Sequence, residues 1–178
     1  VRDITTRLQV EESLRDLGQR MRLMIESARD AVITIDVSSH IVDWNSAATE
    51  MFGWSRDEAI GSELTELIVP TQHRVSHHNG LKRFLAHGVH GILNASIETT
   101  ALTRDGSEFD IELSVWPVKS GDEYTFTSFI RNITDRKAAQ RAMALSETRY
   151  RLVVENANDG IIVTQDGFIR FANPRAYE

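Results

Sequence analysis

The chain has no cysteine, which excludes disulfides, thiolate metal sites and any thiol-linked chromophore. It also lacks an excess of basic residues. The formal charge is −6, whereas a nucleic-acid-binding surface would be positive. No apolar run approaches bilayer-spanning length and no signal peptide opens the sequence. The reading is therefore a cytoplasmic location, with no nucleic-acid partner and no direct membrane contact. Catalytic signatures are missing as well. There is no phosphate loop, nucleophile elbow, metalloprotease helix or kinase-type catalytic histidine motif. Glu98, Asp105, Asp110 and Glu112 fall on strands and a turn, where carboxylates ordinarily face solvent. The expectation is a non-catalytic fragment.

What remains is ordinary for a globular chain, with 41% hydrophobic and 26% charged residues. A length of 178 residues allows one full domain plus linkers. The stretch around which the rest is arranged is Phe129–Arg136. A β-rich run, Tyr124–Ile130, passes directly into Thr134 and Asp135, whose side-chain oxygens can cap a new helix. From Arg136 onward the residues are good helix formers.

That joint occurs twice. Val1-Arg2-Asp3-Ile4-Thr5 matches Ile130-Arg131-Asn132-Ile133-Thr134, Arg131 standing 129 positions after Arg2. Glu26-Ser27-Ala28-Arg29-Asp30 returns as Glu155-Asn156-Ala157-Asn158-Asp159 at the same offset, and Val42–Ser46 matches Arg170–Pro174 at 128. A fixed offset of this size marks a domain-sized repeat. The expected organisation is the end of a preceding copy at 1–5, a linker helix at 6–29, one complete domain at 30–135, a second linker helix at 136–158, and the start of a following copy at 159–178.

Within the first linker, Val10, Leu14, Leu17, Met21 and Met24 recur at alternating steps of four and three, the seam of a coiled coil. An amphipathic helix lying on its own domain has the same pattern. The complete unit reads as a hairpin (Ala31–Asp36, Ile41–Trp44), then short helices. Asn45-Ser46 opens the first of these, Gly53 stops it, and Ser55–Glu58 forms a capping box for the second. A longer helix spans about Gln72–Ala86. Three strands follow, at Ser96–Thr103, Glu108–Val118 and Tyr124–Ile130, with Asp105-Gly106 at the tip of a hairpin. Phe109, Ile111, Leu113 and Val115 would face the core. The fold class is α+β: a five-stranded antiparallel sheet with short helices on one side and coiled-coil-type helices flanking it.

This order resembles the PAS domain. The local sequences that carry the resemblance are Asp30–Asp36, Trp44–Ala48, Phe52–Gly61, Arg104–Phe109 and Arg131–Arg136, covering about residues 22–135. The resemblance implies a sensory or dimerisation module of a bacterial multi-PAS signalling protein. Such a parent would be a histidine kinase or a cyclic-dinucleotide enzyme. The module would homodimerise through its linker helices, adjoin neighbouring PAS and output domains, and relay ligand, redox or gas signals. The competing reading is a structural spacer with no cofactor.

On the long helix, His77 shares a face with Leu81, Phe84 and Leu85 and should point inward, whereas His78 should point to solvent. The segment from Arg74 to Gly88 resembles the corresponding helix of haem-binding PAS oxygen sensors, and on that alignment His77 takes the proximal ligand position. Ile97 takes the distal pocket position, where those sensors place an oxygen-binding arginine. The resemblance thus leaves haem open as a cofactor, the ligand being otherwise unknown. His73 and His77, spaced i,i+4, are an incomplete metal pair without a third group, and no metal site is assigned.

Overall fold

The computed structural model describes residues 2–87, 95–121 and 123–177, with the side chains of the first helix described from Gln9 onward. The chain divides into two compact units, Val1–Thr134 and Asp135–Glu178.

The first unit opens with α1 (Arg2–Glu26). It starts earlier than position 6 and stops short of 29. Residues 2–5 are helical where a strand end was expected, and no described strand pairs with them. The helix stops because Ser27–Asp30 turn tightly, the Ala28 N–H donating to the Ile25 carbonyl at 3.3 Å. The stripe Val10, Leu14, Leu17, Met21 and Met24 is 53%, 64%, 57%, 57% and 70% exposed, so α1 does not lay it on its own sheet.

Strand β1 (Ala31–Ile35) is buried on both faces and lies inside the sheet, antiparallel to β2 (Ile41–Trp44) on one side and to the last strand on the other. Between them Asp36 holds the turn, its Oδ1 accepting from the Ser38 and His40 N–H groups. Four helices carry the chain from the β2 edge to the opposite edge: α2 (Ser46–Phe52), α3 (Arg56–Ala59), α4 (Leu64–Leu67) and α5 (Thr71–His87). Their boundaries follow local chemistry. Asn45 caps α2 and Gly53, at φ 79°, ends it. Ser55 and Glu58 form the reciprocal capping box of α3.

The sheet is completed by β3 (Ser96–Leu102), β4 (Glu108–Ser120) and β5 (Glu123–Asn132), in the spatial order β2-β1-β5-β4-β3, antiparallel throughout. Gly106 at φ 84° turns β3 into β4. The core lies between the inner sheet face and the helices. Trp44 and Phe52 are wholly buried, their rings tilted at 5.7 Å. Truncating either to alanine should cost about 3–5 kcal/mol.

In the second unit α6 (Thr134–Glu155) begins two residues before the expected 136. Asn132 Oδ1 accepts the Thr134 N–H at 2.9 Å, a tie just ahead of Thr134 and Asp135, the cap residues that the sequence suggested. The unit continues through a hairpin, β6 (Ile162–Gln165) and β7 (Phe168–Ala172), into the short 3₁₀ turn Pro174–Tyr177.

Candidate ligand cavity under α5

A cavity of about 360 Å³ separates α5 from the inner face of the sheet, within the size range of small-molecule sites. Its walls are mainly apolar, with Ile33, Ile111, Leu113 and Phe126 from the strands and Leu81 and Phe84 from α5. Phe84 meets Tyr124 and Phe126 edge-on at 5.3 and 5.2 Å, which fixes the helix over the sheet. The polar groups on the wall are few, among them His73, Ser76, His77, Thr99 and Ser128.

His77 lies on the inner side of α5, where its spacing from Leu81 and Phe84 placed it, and half-buried. Leu85, assigned to the same face, is instead 46% exposed. The ring nitrogen Nδ1 of His77 is buried and meets no hydrogen-bond partner. Burial pushes the pKa of His77 below its ordinary 6.5, the neighbouring His78 adds to this, and Glu63 opposes it. The result is a neutral imidazole on a mainly apolar wall, which a ligand would meet through ring atoms other than the enclosed Nδ1. That suits a hydrogen bond to a ligand or coordination of an iron.

His78 corrects the simple outward assignment. It is partly covered and pinned at both nitrogens: Nδ1 lies 2.9 Å from the Arg74 carbonyl and Nε2 lies 2.8 Å from Glu63 Oε1. Both partners are acceptors, so the ring meets an acceptor on either side. Glu63, just before α4, is held below the usual carboxylate range by Thr65 first and His78 second. The pair ties α5 to α4 beside the cavity.

Ile97 of β3 lines the same cavity as His77. The two residues named from the resemblance are thus brought to one space, with an imidazole from the helix and an alkyl group without a donor from the strand. His73 is exposed at the margin, and among the described residues no cluster of three metal-ligating side chains forms. His90 lies outside the described residues. Sequence reading missed Ser128, which is buried on the inner face of β5; its inward phase was legible from Phe126 and Ile130 two residues to either side.

At the base of the unit, Arg131 grips Asp30 bidentately, Nε to Oδ1 at 3.0 Å and an Nη to Oδ2 at 2.7 Å. Asn45 is 2% exposed and spends its whole hydrogen-bonding capacity on backbone groups, described below.

Comparison with known proteins agrees with this architecture. The family model described as PAS fold matches residues 19–133, and a second, described as PAS domain, matches 148–178. An uncharacterized protein of Azorhizobium caulinodans is 38% identical over 122 residues, covering 68% of this chain. The sensor protein FixL of Bradyrhizobium diazoefficiens is 33% identical over 138 residues, covering 78%. The chain spans only 17% and 27% of the lengths of those two proteins. The PAS domain of an HTR-like protein from Haloarcula marismortui superimposes with a TM-score of 0.58 at 19% identity, over 70% of this chain and 98% of that one. Sheet order, helix order and family match coincide over the same residues, and the chain belongs to the PAS family.

Proposed function

We propose that residues 30–135 are a sensory PAS module that converts occupancy of the cavity into a shift of its flanking helices. The observation that carries this reading is the mainly apolar cavity with the neutral His77 ring on its wall. His77 is the residue that would ligate a haem iron or hydrogen-bond another ligand, and Ile97 lines the same space. Ile97 would offer an occupant of the cavity an alkyl contact and no hydrogen bond.

In this reading residues 1–5 end a preceding copy, 6–29 and 136–158 are linkers, and 159–178 begin the next copy. The parent is a cytoplasmic multi-PAS sensor whose output domain lies elsewhere in its chain, and the flanking helices pair in a homodimer. Movement of α5 against the sheet would alter β5 and so the start of α6.

The test is to purify the protein from cells supplied with iron and a haem precursor, then record an absorption spectrum and a native mass spectrum. A bound small molecule supports the reading. If it is haem, His77→Ala removes the Soret band and His78→Ala keeps it. A protein that carries nothing, and binds neither haem nor other small apolar molecules on titration, is a spacer and overturns the sensory reading.

A further inference from the structure

We propose that Asn45, Asp30 and Arg131 form a strut that carries movement of α1 directly into the strand from which α6 departs, without passing through the ligand cavity. The proposal rests on the reading of the flanking helices as signal carriers, but its geometry stands apart from any ligand. None of the three residues lines the cavity.

The strut begins at the end of α1. Asn45 Nδ2 donates to the Ile25 carbonyl at 3.0 Å, in the last turn of the helix, and to the Asp30 carbonyl at 3.1 Å. Its Oδ1 accepts the Val32 N–H of β1 and the Ala48 N–H of α2, each at 2.9 Å. An amide side chain has two donor hydrogens and two acceptor lone pairs, so this one is fully used. One rigid group therefore joins a helix end, a turn, a strand and the next helix. Glu26 adds a second tie, its Oε2 accepting from both the N–H and the hydroxyl of Ser46.

The carboxylate of Asp30 then continues the path. It takes the bidentate grip of Arg131, a residue 101 positions away, at the end of β5. A planar fork on a carboxylate fixes direction as well as distance. With Arg131 62% and Asp30 30% exposed, solvent screens the pair and it contributes little to stability. Its consequence is geometric. Ile133, two residues on, is buried and donates its N–H to the Asp110 carbonyl, and Asn132 Oδ1 accepts the N–H of Thr134, where the next helix begins. The chain leaves the sheet from a point held on both sides.

Recurrence in the second unit is an independent observation. Asn173 Nδ2 donates to the Val154 and Asp159 carbonyls, both at 3.0 Å, and its Oδ1 accepts from the Ile161 and Ala176 N–H groups at 2.8 and 3.1 Å. These partners stand 128 or 129 positions after Ile25, Asp30, Val32 and Ala48. Around them the sequence has changed: Ala31 is replaced by Gly160 and Ser46 by Pro174, which has no N–H to offer Glu155. What persists is the tie from helix end to first strand. Each copy in a tandem array would be hooked in this way to the helix arriving from the copy before it, and a signal could cross a ligand-free module.

The experiment uses hydrogen exchange of the whole chain, read by mass spectrometry at residues 130–133, in the wild-type, Arg131→Gln and Asp30→Asn backgrounds, each with and without Gly18→Pro. Gly18→Pro kinks α1, and Gly18 has no neighbour within 4 Å to confound the change. In the otherwise wild-type chain, this kink should alter exchange at 130–133 by about twofold or more, the lower end of couplings carried by contiguous networks. In an Arg131→Gln background, and likewise with Asp30→Asn, the response should vanish. Because Arg131 and Asp30 are surface groups, both backgrounds should fold even if an Asn45→Ala protein does not. A response of equal size in all backgrounds, or no response in any, overturns the strut. A missing ligand or a failed sensory reading leaves this measurement unaffected.

Discussion

At His77 burial outweighs the nearby carboxylate. Glu63 raises its pKa, yet loss of water and the adjoining His78 lower it further. The sign of the consequence follows from linkage. The unfolded ring binds a proton near its ordinary 6.5 and the folded ring binds it only at lower pH, so below 6.5 the unfolded state holds more protons. This contribution to stability is intact above 6.5 and is lost progressively as pH falls through the lowered folded value. Urea unfolding at pH 7.5 and 5.5 should show a decrease that shrinks in His77→Phe. An unchanged decrease would place the titration elsewhere. The inward phase of His77 was legible because a 3.6-residue period assigns faces without knowledge of partners. The tie from His78 to Glu63 was not, since it joins a helix to a loop residue 15 positions earlier, and no local pattern encodes that. Asn45 shows the same limit. Its role as helix cap was readable from the following residues, while its bonds to Ile25 and Asp30 depend on tertiary placement.

Among the elements, those with their own start and stop chemistry were readable. The α3 capping box, the Gly53 stop and the Asp105-Gly106 hairpin are all as the sequence implied. The order of strands across the sheet was not legible, because β2 and β3 lie on opposite edges and no periodicity states which strands pair. The joint between β5 and α6 yields a prediction about phase. One residue inserted after Ala139 turns everything downstream by about 100°, whereas seven residues drift by only about 20°. In a full-length parent, the single insertion should change or invert signal-dependent output and the seven-residue insertion should preserve it. Ala139, Met143, Ser146, Tyr150 and Val153 occupy the seam positions of α6, and small and polar groups there suit two alternative packings. Output that tolerates both insertions would make α6 a passive tether.

For the whole molecule the open question is what covers α1. Five large apolar side chains at seam spacing are each more than half exposed, and most helical stability in proteins comes from packing such a face. Fully burying one leucine or methionine contributes about 1.5–3 kcal/mol. Five such residues from each of two chains would offset an association cost of about 4–15 kcal/mol. A second copy laid parallel through residues 8–28 matches each side chain to its own counterpart, as a two-fold axis along the seam requires. The sheet of the same unit is a poorer occupant, since α1 leaves the seam uncovered with that sheet already present. We therefore predict a parallel homodimer, detected by light scattering at high micromolar concentration. Replacing both Leu14 and Leu17 by lysine should yield a monomer and reduce helical circular dichroism, because each seam then places like charges opposite each other. The cavity, which takes no wall from α1, should keep its ligand affinity in that monomer. A wild-type chain that stays monomeric, or a double variant that still dimerises, would show that the stripe serves some other contact.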